Sequence, residues 1–194
     1  MRDKPDHYAL QARKEGYPAR SVYKLQEIQN KFKVLPPSGA VLDIGASPGS
    51  WSLYVSRLLK KNSRIVSVDL KPLGSGVQIK NMKFFQTDAF SDGFLKEAET
   101  EGPFDAVISD AAPSTTGNRT VDTSRSFTLA YKVIETAGRL LRPGGNLVVK
   151  VFQGGDEQEL LSIVKKEYTS AKLFKPKASR KESFEIFIIG LGKK

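Results

Sequence analysis

The sequence predicts an α/β protein, a doubly wound and mostly parallel sheet that finishes in an antiparallel strand. Three observations lead there. From Gly39 onward, short runs rich in β-branched residues alternate with segments of helical period, the pattern of parallel strands joined by crossover helices. The last two runs are separated only by a short basic turn, which leaves no room for a crossover helix and permits antiparallel pairing. The 194 residues, 39% hydrophobic and 27% charged with a mean hydropathy of -0.34, suffice for one domain with a full core.

Each element has its own signature. Residues 1–33 form a basic helical segment ahead of the sheet, with Val22, Leu25 and Ile28 at three-residue spacing. AVLDIG (40–45) is a buried-strand pattern that ends in a glycine-containing turn. The stretch 49–61 then puts Leu53, Val55, Leu58 and Leu59 on roughly one helical face. RIVSVDL (64–70) and MKFFQTD (82–88) are the second and third strands, and SDGFLKEAET (91–100) is a short helix. FDAVISD (104–110) is the fourth strand. A long helix is expected from Ser124 to Leu141, stopped by Arg-Pro-Gly-Gly at 142–145. NLVVKVF (146–152) is the fifth strand, and Asp156 is placed to cap a helix running through Tyr168. AKLFKP (171–176) and SFEIFIIG (183–190), joined by KASRKE (177–182), close the sheet. No repeat, low-complexity tract or linker interrupts the chain, which reads as one domain over 1–194.

Composition narrows the chemistry. The absence of cysteine excludes disulfides, thiolate catalysis and cysteine-bound zinc. His7 is the only histidine and precedes the predicted core, so it reads as a solvated residue, and no metal site is expected. No apolar run approaches the roughly 18 residues of a membrane-spanning helix. The first ten residues also lack the apolar stretch of a secretory signal, so a cytoplasmic location is expected. The net charge of +10 is uneven: residues 1–33 carry +4, residues 165–194 carry +6, and the 131 residues between them are neutral. A neutral centre between two basic ends suggests a polyanion-binding surface, with RNA or DNA as the partner. Arg13, Lys14, Arg20, Lys175, Lys177, Arg180 and Lys181 are expected to form its rim.

Four of the first four predicted strands have an aspartate at or near the carboxyl end: Asp43, Asp69, Asp88 and Asp110. Ligands of open α/β sheets bind beyond those ends. Each aspartate alone could be a turn or helix cap, but four are expected to converge on one crevice. The first turn, Asp43-Ile-Gly-Ala-Ser-Pro-Gly-Ser-Trp51, is neither GxGxxG nor a P-loop, which disfavours a pyrophosphate ligand. Gly45 and Gly49 would let backbone approach a ligand closely, and Asp69 falls where an acidic residue holds a ribose diol. A cationic nucleoside without phosphates fits such a pocket, and S-adenosylmethionine is one. Further along, Lys150 interrupts the apolar run 147–152, and Glu185 shares a strand face with Phe187 and Ile189. A buried Lys150–Glu185 ion pair would account for both, and Lys24 alone would be a solvated helix face.

Taken together, these segments resemble the FtsJ/RrmJ-type RNA 2′-O-methyltransferases over nearly the whole chain. Residues 20–28, Arg-Ser-Val-Tyr-Lys-Leu-Gln-Glu-Ile, resemble the N-terminal block that carries the first lysine of that family's Lys-Asp-Lys-Glu tetrad. Residues 43–52 resemble its cofactor motif, 109–113 its catalytic aspartate motif and 148–153 the block of its second lysine; Ser50 departs from the glycine that many members have. The resemblance implies a Rossmann-like methyltransferase fold and a catalytic tetrad of Lys24, Asp110, Lys150 and Glu185. It also implies S-adenosylmethionine contacts at Gly49, Trp51, Asp69, Asp88 and Asp110. The implied activity is methylation of a ribose 2′-hydroxyl, on a uridine of large-subunit ribosomal RNA; the sequence does not reveal the oligomeric state, with a monomer favoured. Lys150 is expected to be the base, with Lys24 positioning the ribose, Asp110 orienting Lys150 and Glu185 holding the lysines. A transfer RNA 2′-O-methyltransferase shares these motifs. A non-catalytic RNA-binding protein on the same fold and, against the basic ends, a small-molecule methyltransferase are the other readings.

Overall fold

Strand periodicity sorts the apolar residues onto two sheet faces, and helices cover both. A computed structural model describes residues 6–180 and 182–194; Lys181 of the expected basic rim lies outside them. The strands are β1 (Ala40–Ile44), β2 (Arg64–Asp69), β3 (Met82–Gln86), β4 (Phe104–Ser109), β5 (Leu141–Phe152), β6 (Tyr168–Phe174) and β7 (Glu185–Lys193). The helices are α1 (His7–Lys14), α2 (Val22–Phe32), α3 (Ser50–Leu58), α4 (Asp92–Glu101), α5 (Arg119–Leu140) and α6 (Glu157–Glu167). All seven strands join one sheet in the order β3-β2-β1-β4-β5-β7-β6. Strands β1 to β5 pair in parallel, whereas β7 runs antiparallel to both of its neighbours, β5 and β6.

One face carries Leu42, Val107, Val149 and Ile188 and packs against Phe94 of α4, Val133 and Ile134 of α5 and Leu160 of α6. The other carries Val41, Ile108, Val148 and Phe187 and packs against Leu25 and Ile28 of α2 and Trp51 and Val55 of α3. Each such aliphatic side chain contributes about 1.5–3 kcal/mol on full burial, so Leu25 and Ile28 help to fix α2 on the sheet, whereas Val22 packs with Ala12, Tyr17 and Ala178. Strand alternation then decides where the charged residues go. Asp110, Lys150 and Glu185 all share the parity of the α2-covered face, and Lys24 is the neighbour of buried Leu25.

Several boundaries differ from the expected ones for local reasons. Helix α5 begins at Arg119, not Ser124, because Asn118 caps it by accepting from Val121 N. Asp122 holds the preceding loop by accepting from Thr116 N and Gly117 N. Its carboxyl is lowered below the usual range chiefly by the Thr116 backbone bond, against desolvation. Strand β5 begins at Leu141, where the expected helix ends, because Leu141 pairs with Phe104 across an irregular register. Asp156 precedes α6 but its side chain caps nothing; the Glu157 carboxylate instead accepts from Gly155 N. The basic segment before the sheet holds two helices, α1 and α2. Asp6 caps the first by accepting from Tyr8 N and Ala9 N, and His7 is exposed on it.

Candidate active site

Two lysines and two carboxylates meet where the carboxyl ends of β4 and β5 reach the start of β7. Lys150 Nζ lies 2.9 Å from Asp110 Oδ1, and Lys24 Nζ lies 3.6 Å from the same oxygen. Lys24 Nζ also sits 2.7 Å from Glu185 Oε1 and donates to Oε2 at 2.8 Å. The four side chains are 8–17% exposed, so they are screened from bulk water yet open on one side. The chain of contacts runs Lys150–Asp110–Lys24–Glu185. This corrects two readings of the sequence. Lys150 pairs with Asp110 and not with Glu185, because β5–β7 register sets Lys150 opposite Phe187 and Glu185 opposite Phe152. Nor is Lys24 a solvated face, since its ammonium turns inward over the Phe187 ring, 5.9 Å from the centroid.

Beside this cluster lies a cavity of about 480 Å³ at the ends of β1, β2 and β4, with Asp69, Asp88 and Asp110 in its wall. Asp69 accepts from Ser47 N at 2.9 Å and Lys71 N at 2.8 Å, which fixes its carboxylate while each oxygen keeps a second lone pair. Asp88 accepts from Phe90 N through Oδ1 at 3.0 Å, which sets its carboxylate at the cavity rim. Gly45, at φ +79°, allows the first turn to lie against the Asp110–Ala111 turn: a Cβ there would come within 2.6 Å of the Ala111 Cβ. Phe90 and Leu129 add apolar wall that sequence reading did not single out; Phe90, two residues after Asp88, was the available signal.

The expected convergence of four aspartates holds for three. Asp43 shares β1's α3-facing side and is fully buried, accepting from Ser52 Oγ at 2.5 Å, with Ser52 in turn 2.8 Å from Ser67 Oγ. Desolvation pushes its carboxyl up to about 7, against the Ser52 hydrogen bond and with help from the charges of Asp110 and Asp69. Gly49 and Trp51 also lie off the cavity wall. Gly49 takes φ +106° ahead of α3 beside Val77. Trp51 is buried, donates its indole N–H to Ser21 O at 2.9 Å and borders a recess of about 40 Å³ that also touches Asp110.

Backbone clasps hold the basic N-terminal segment against this site. Ser50 Oγ accepts from Ala19 N at 2.8 Å and bonds Ala19 O at 3.1 Å. Glu27 of α2 accepts from Lys177 N and Ala178 N at 2.8 and 2.7 Å, which docks the β6–β7 loop on that helix. Arg20 reaches Ala178 O and pairs with Asp6.

The sequence model of the FtsJ-like methyltransferase family matches residues 17–193, which span every element from α2 to β7. The chain belongs to that family. Among its relatives, this FtsJ-like methyltransferase is 51% identical over 187 residues to the ribosomal RNA large subunit methyltransferase E of Treponema denticola, covering 96% of this chain and 94% of that one. It is 49% identical to the protein of the same name from Borreliella afzelii, covering 95% and 96%. A solved structure described as a candidate ribosomal RNA methyltransferase of Plasmodium falciparum superposes with a TM-score of 0.78 at 27% identity, over 91% of this chain and 98% of that one. The FtsJ-like assignment makes this chain an enzyme of methyl transfer. Among the described residues, no helix is long and apolar enough to cross a membrane.

Proposed function

We propose that this FtsJ-like methyltransferase transfers a methyl group from S-adenosylmethionine to a ribose 2′-hydroxyl of large-subunit ribosomal RNA, with uridine as acceptor. The observation that carries the reading is the paired cluster of Lys24, Asp110, Lys150 and Glu185 sharing Asp110 with a carboxylate-walled cavity. The cavity suits the cofactor chemically. Asp69 and Asp88 supply acceptors for a ribose diol and for ring N–H donors, Phe90 and Leu129 supply an apolar wall, and the carboxylates favour a cation over a phosphate. When bound, S-adenosylmethionine supplies an electrophilic methyl carbon on a sulfonium.

The residues of the chain do the rest. A ribose hydroxyl is a weak nucleophile and needs a base as its oxygen attacks. Lys150 is the base: its Nζ would take the hydroxyl proton while the ribose oxygen accepts the methyl group. Asp110 holds Lys150 at 2.9 Å and faces both the base and the cavity. Lys24, bridged between Asp110 and Glu185, is placed to hold the acceptor ribose. Glu185 anchors Lys24. A cytoplasmic site of action fits a ribosomal RNA substrate.

A groove runs past the cluster on the side of α1 and α2. Arg20 belongs to two adjoining cavities, one of about 740 Å³ with Arg13 and Arg57 in its wall and one of about 410 Å³ with Lys24 and Arg180. Those residues support RNA as the substrate class. The test is transfer of labelled methyl from S-adenosylmethionine to ribosomal RNA. Lys150→Ala should abolish transfer and leave cofactor binding intact. Lys150→Arg keeps the charge and the Asp110 pair but stays protonated, so it should fail as well. An arginine variant with near-normal turnover would reduce Lys150 to an electrostatic role.

A further inference from the structure

The basic groove flanks the cluster from α1 and α2, yet a cation also stands on the opposite flank, in the segment whose net charge is zero. Arg119 opens α5 and is exposed. Its guanidinium carbon lies 5.5 Å from the centre of the Phe184 ring, and Phe184 immediately precedes Glu185. That ring is itself seated edge-to-face on Phe152, 4.6 Å between centres at 62°. Gly154 borders the seat: a Cβ there would lie 3.1 Å from Arg119 Nη2 and would push the guanidinium aside by a few tenths of an ångström. The first turns of α5 are fixed as well, because Ser126 Oγ accepts from Phe152 N at 3.0 Å. Arg119 is thus braced by a ring, a bare backbone and its own helix.

Its charge, in contrast, is unspent. Among the described residues Arg119 makes no ion pair, whereas Arg20 is held by Asp6, Arg139 by Glu99 and Arg142 by Asp105. A guanidinium offers five donors in a planar fork suited to phosphate.

We infer that Arg119, braced by Phe184 and Gly154, binds a backbone phosphate beside the acceptor ribose and sets that ribose over Lys150 and Lys24. The inference rests on the RNA reading above. It makes Arg119 a positioning residue, on the flank opposite Arg20 and Arg180, so that the strand is gripped from both sides of the cluster.

The test is titration of a large-subunit ribosomal RNA transcript into wild type, Arg119→Gln, Arg119→Lys and Phe184→Leu across a salt series, with KM and kcat measured beside it. Arg119→Gln should raise KM for RNA by roughly tenfold, the loss of about one charge-assisted hydrogen bond. It should also shrink the log–log salt slope by about 0.7, one phosphate contact on a single strand. Arg119→Lys should restore the slope but only part of the KM, since it keeps the charge without the fork. Phe184→Leu should raise KM with the slope unchanged. In all three, S-adenosylmethionine affinity should match wild type. An Arg119→Gln variant with wild-type slope and KM but a lowered melting temperature would overturn the inference and leave the cation–ring contact as packing. Wild type that binds RNA without methylating it would sink the functional reading instead, while the slope would still decide the role of Arg119.

Discussion

Asp43 couples the interior of the first turn to pH. Its carboxyl, pushed up to about 7 by burial, keeps a proton in the folded chain at pH values where the unfolded chain has lost it. The folded state therefore binds more protons between its ordinary value of 3.8 and 7. Stability from this group is full below that window, falls as pH rises through it and stays low above. The whole effect is bounded at about 4 kcal/mol. Asp43→Asn, which is uncharged at every pH, should melt close to wild type near pH 4 and several degrees above it at pH 8. Parallel melting curves at the two pH values check this; equal melting temperatures at pH 8 would mean that Asp43 is charged and satisfied by Ser52. The sequence showed Asp43 as one of four strand-end carboxylates but not that it faces inward. Strand parity does not set it apart: parallel register puts Asp43 level with Ser67 and Ile108, on the same face as Asp69 and Asp110 but one strand period short of them, under α3 and away from the opening. Lys150 and Glu185 were legible as charges in apolar company. Their partners came only from the family resemblance, because register between β5 and β7 is a tertiary property that no spacing along the chain encodes.

At the scale of elements, the first turn and α3 do two jobs. The turn shapes the wall of the carboxylate-lined cavity, and Ser50, which opens α3, holds the chain that leads into α2. Ser50→Ala would leave Ala19 N and Ala19 O without that partner, a loss of about 1–3 kcal/mol. Proteolysis should then cut first near residue 19, with cofactor affinity reduced far less than RNA affinity. A Ser50→Ala protein with wild-type protease resistance would show that the α2 core face alone suffices. Glu27→Gln should act similarly on the β6–β7 loop, since a neutral amide oxygen accepts more weakly from Lys177 N and Ala178 N. Most elements were readable from β-branched runs and helical period. The start of α5 was not: the cap at Asn118 and the Asp122 bonds to Thr116 and Gly117 lie in a polar stretch with no apolar stripe, where capping chemistry decides and hydropathy is silent.

For the molecule as a whole, the charge count in the sequence and the fold agree on one arrangement. The two basic ends, remote in sequence, are joined by Glu27 and Arg20 across the site. Long-range attraction to RNA should therefore come from both at once. Reversing the charge of Lys177 and Arg180 together should weaken RNA binding and flatten its salt dependence by about 0.7 for each lost contact. S-adenosylmethionine affinity, measured by titration, should not move, because the cavity proposed for it is walled by other residues. A salt slope equal to wild type would reduce the loop to a solvated turn. What charge counting overstated is the freedom of Arg20, whose guanidinium is engaged by Asp6 and Ala178 O and whose effect on RNA is correspondingly indirect.

The antiparallel strand β7 lies between β5 and β6 although it is made after both. While the chain is being synthesised, β5 must wait with an open edge and β6 cannot reach the sheet without its missing neighbour. Insertion of β7 closes that gap, seats Phe187 in the core and delivers Glu185 to Lys24 in a single event. On this topology, completion of the sheet and formation of the Lys24–Glu185 pair should coincide. Pulse-labelled hydrogen exchange during refolding should find β5, β6 and β7 protected together, with methyl transfer appearing in the same phase and not before it.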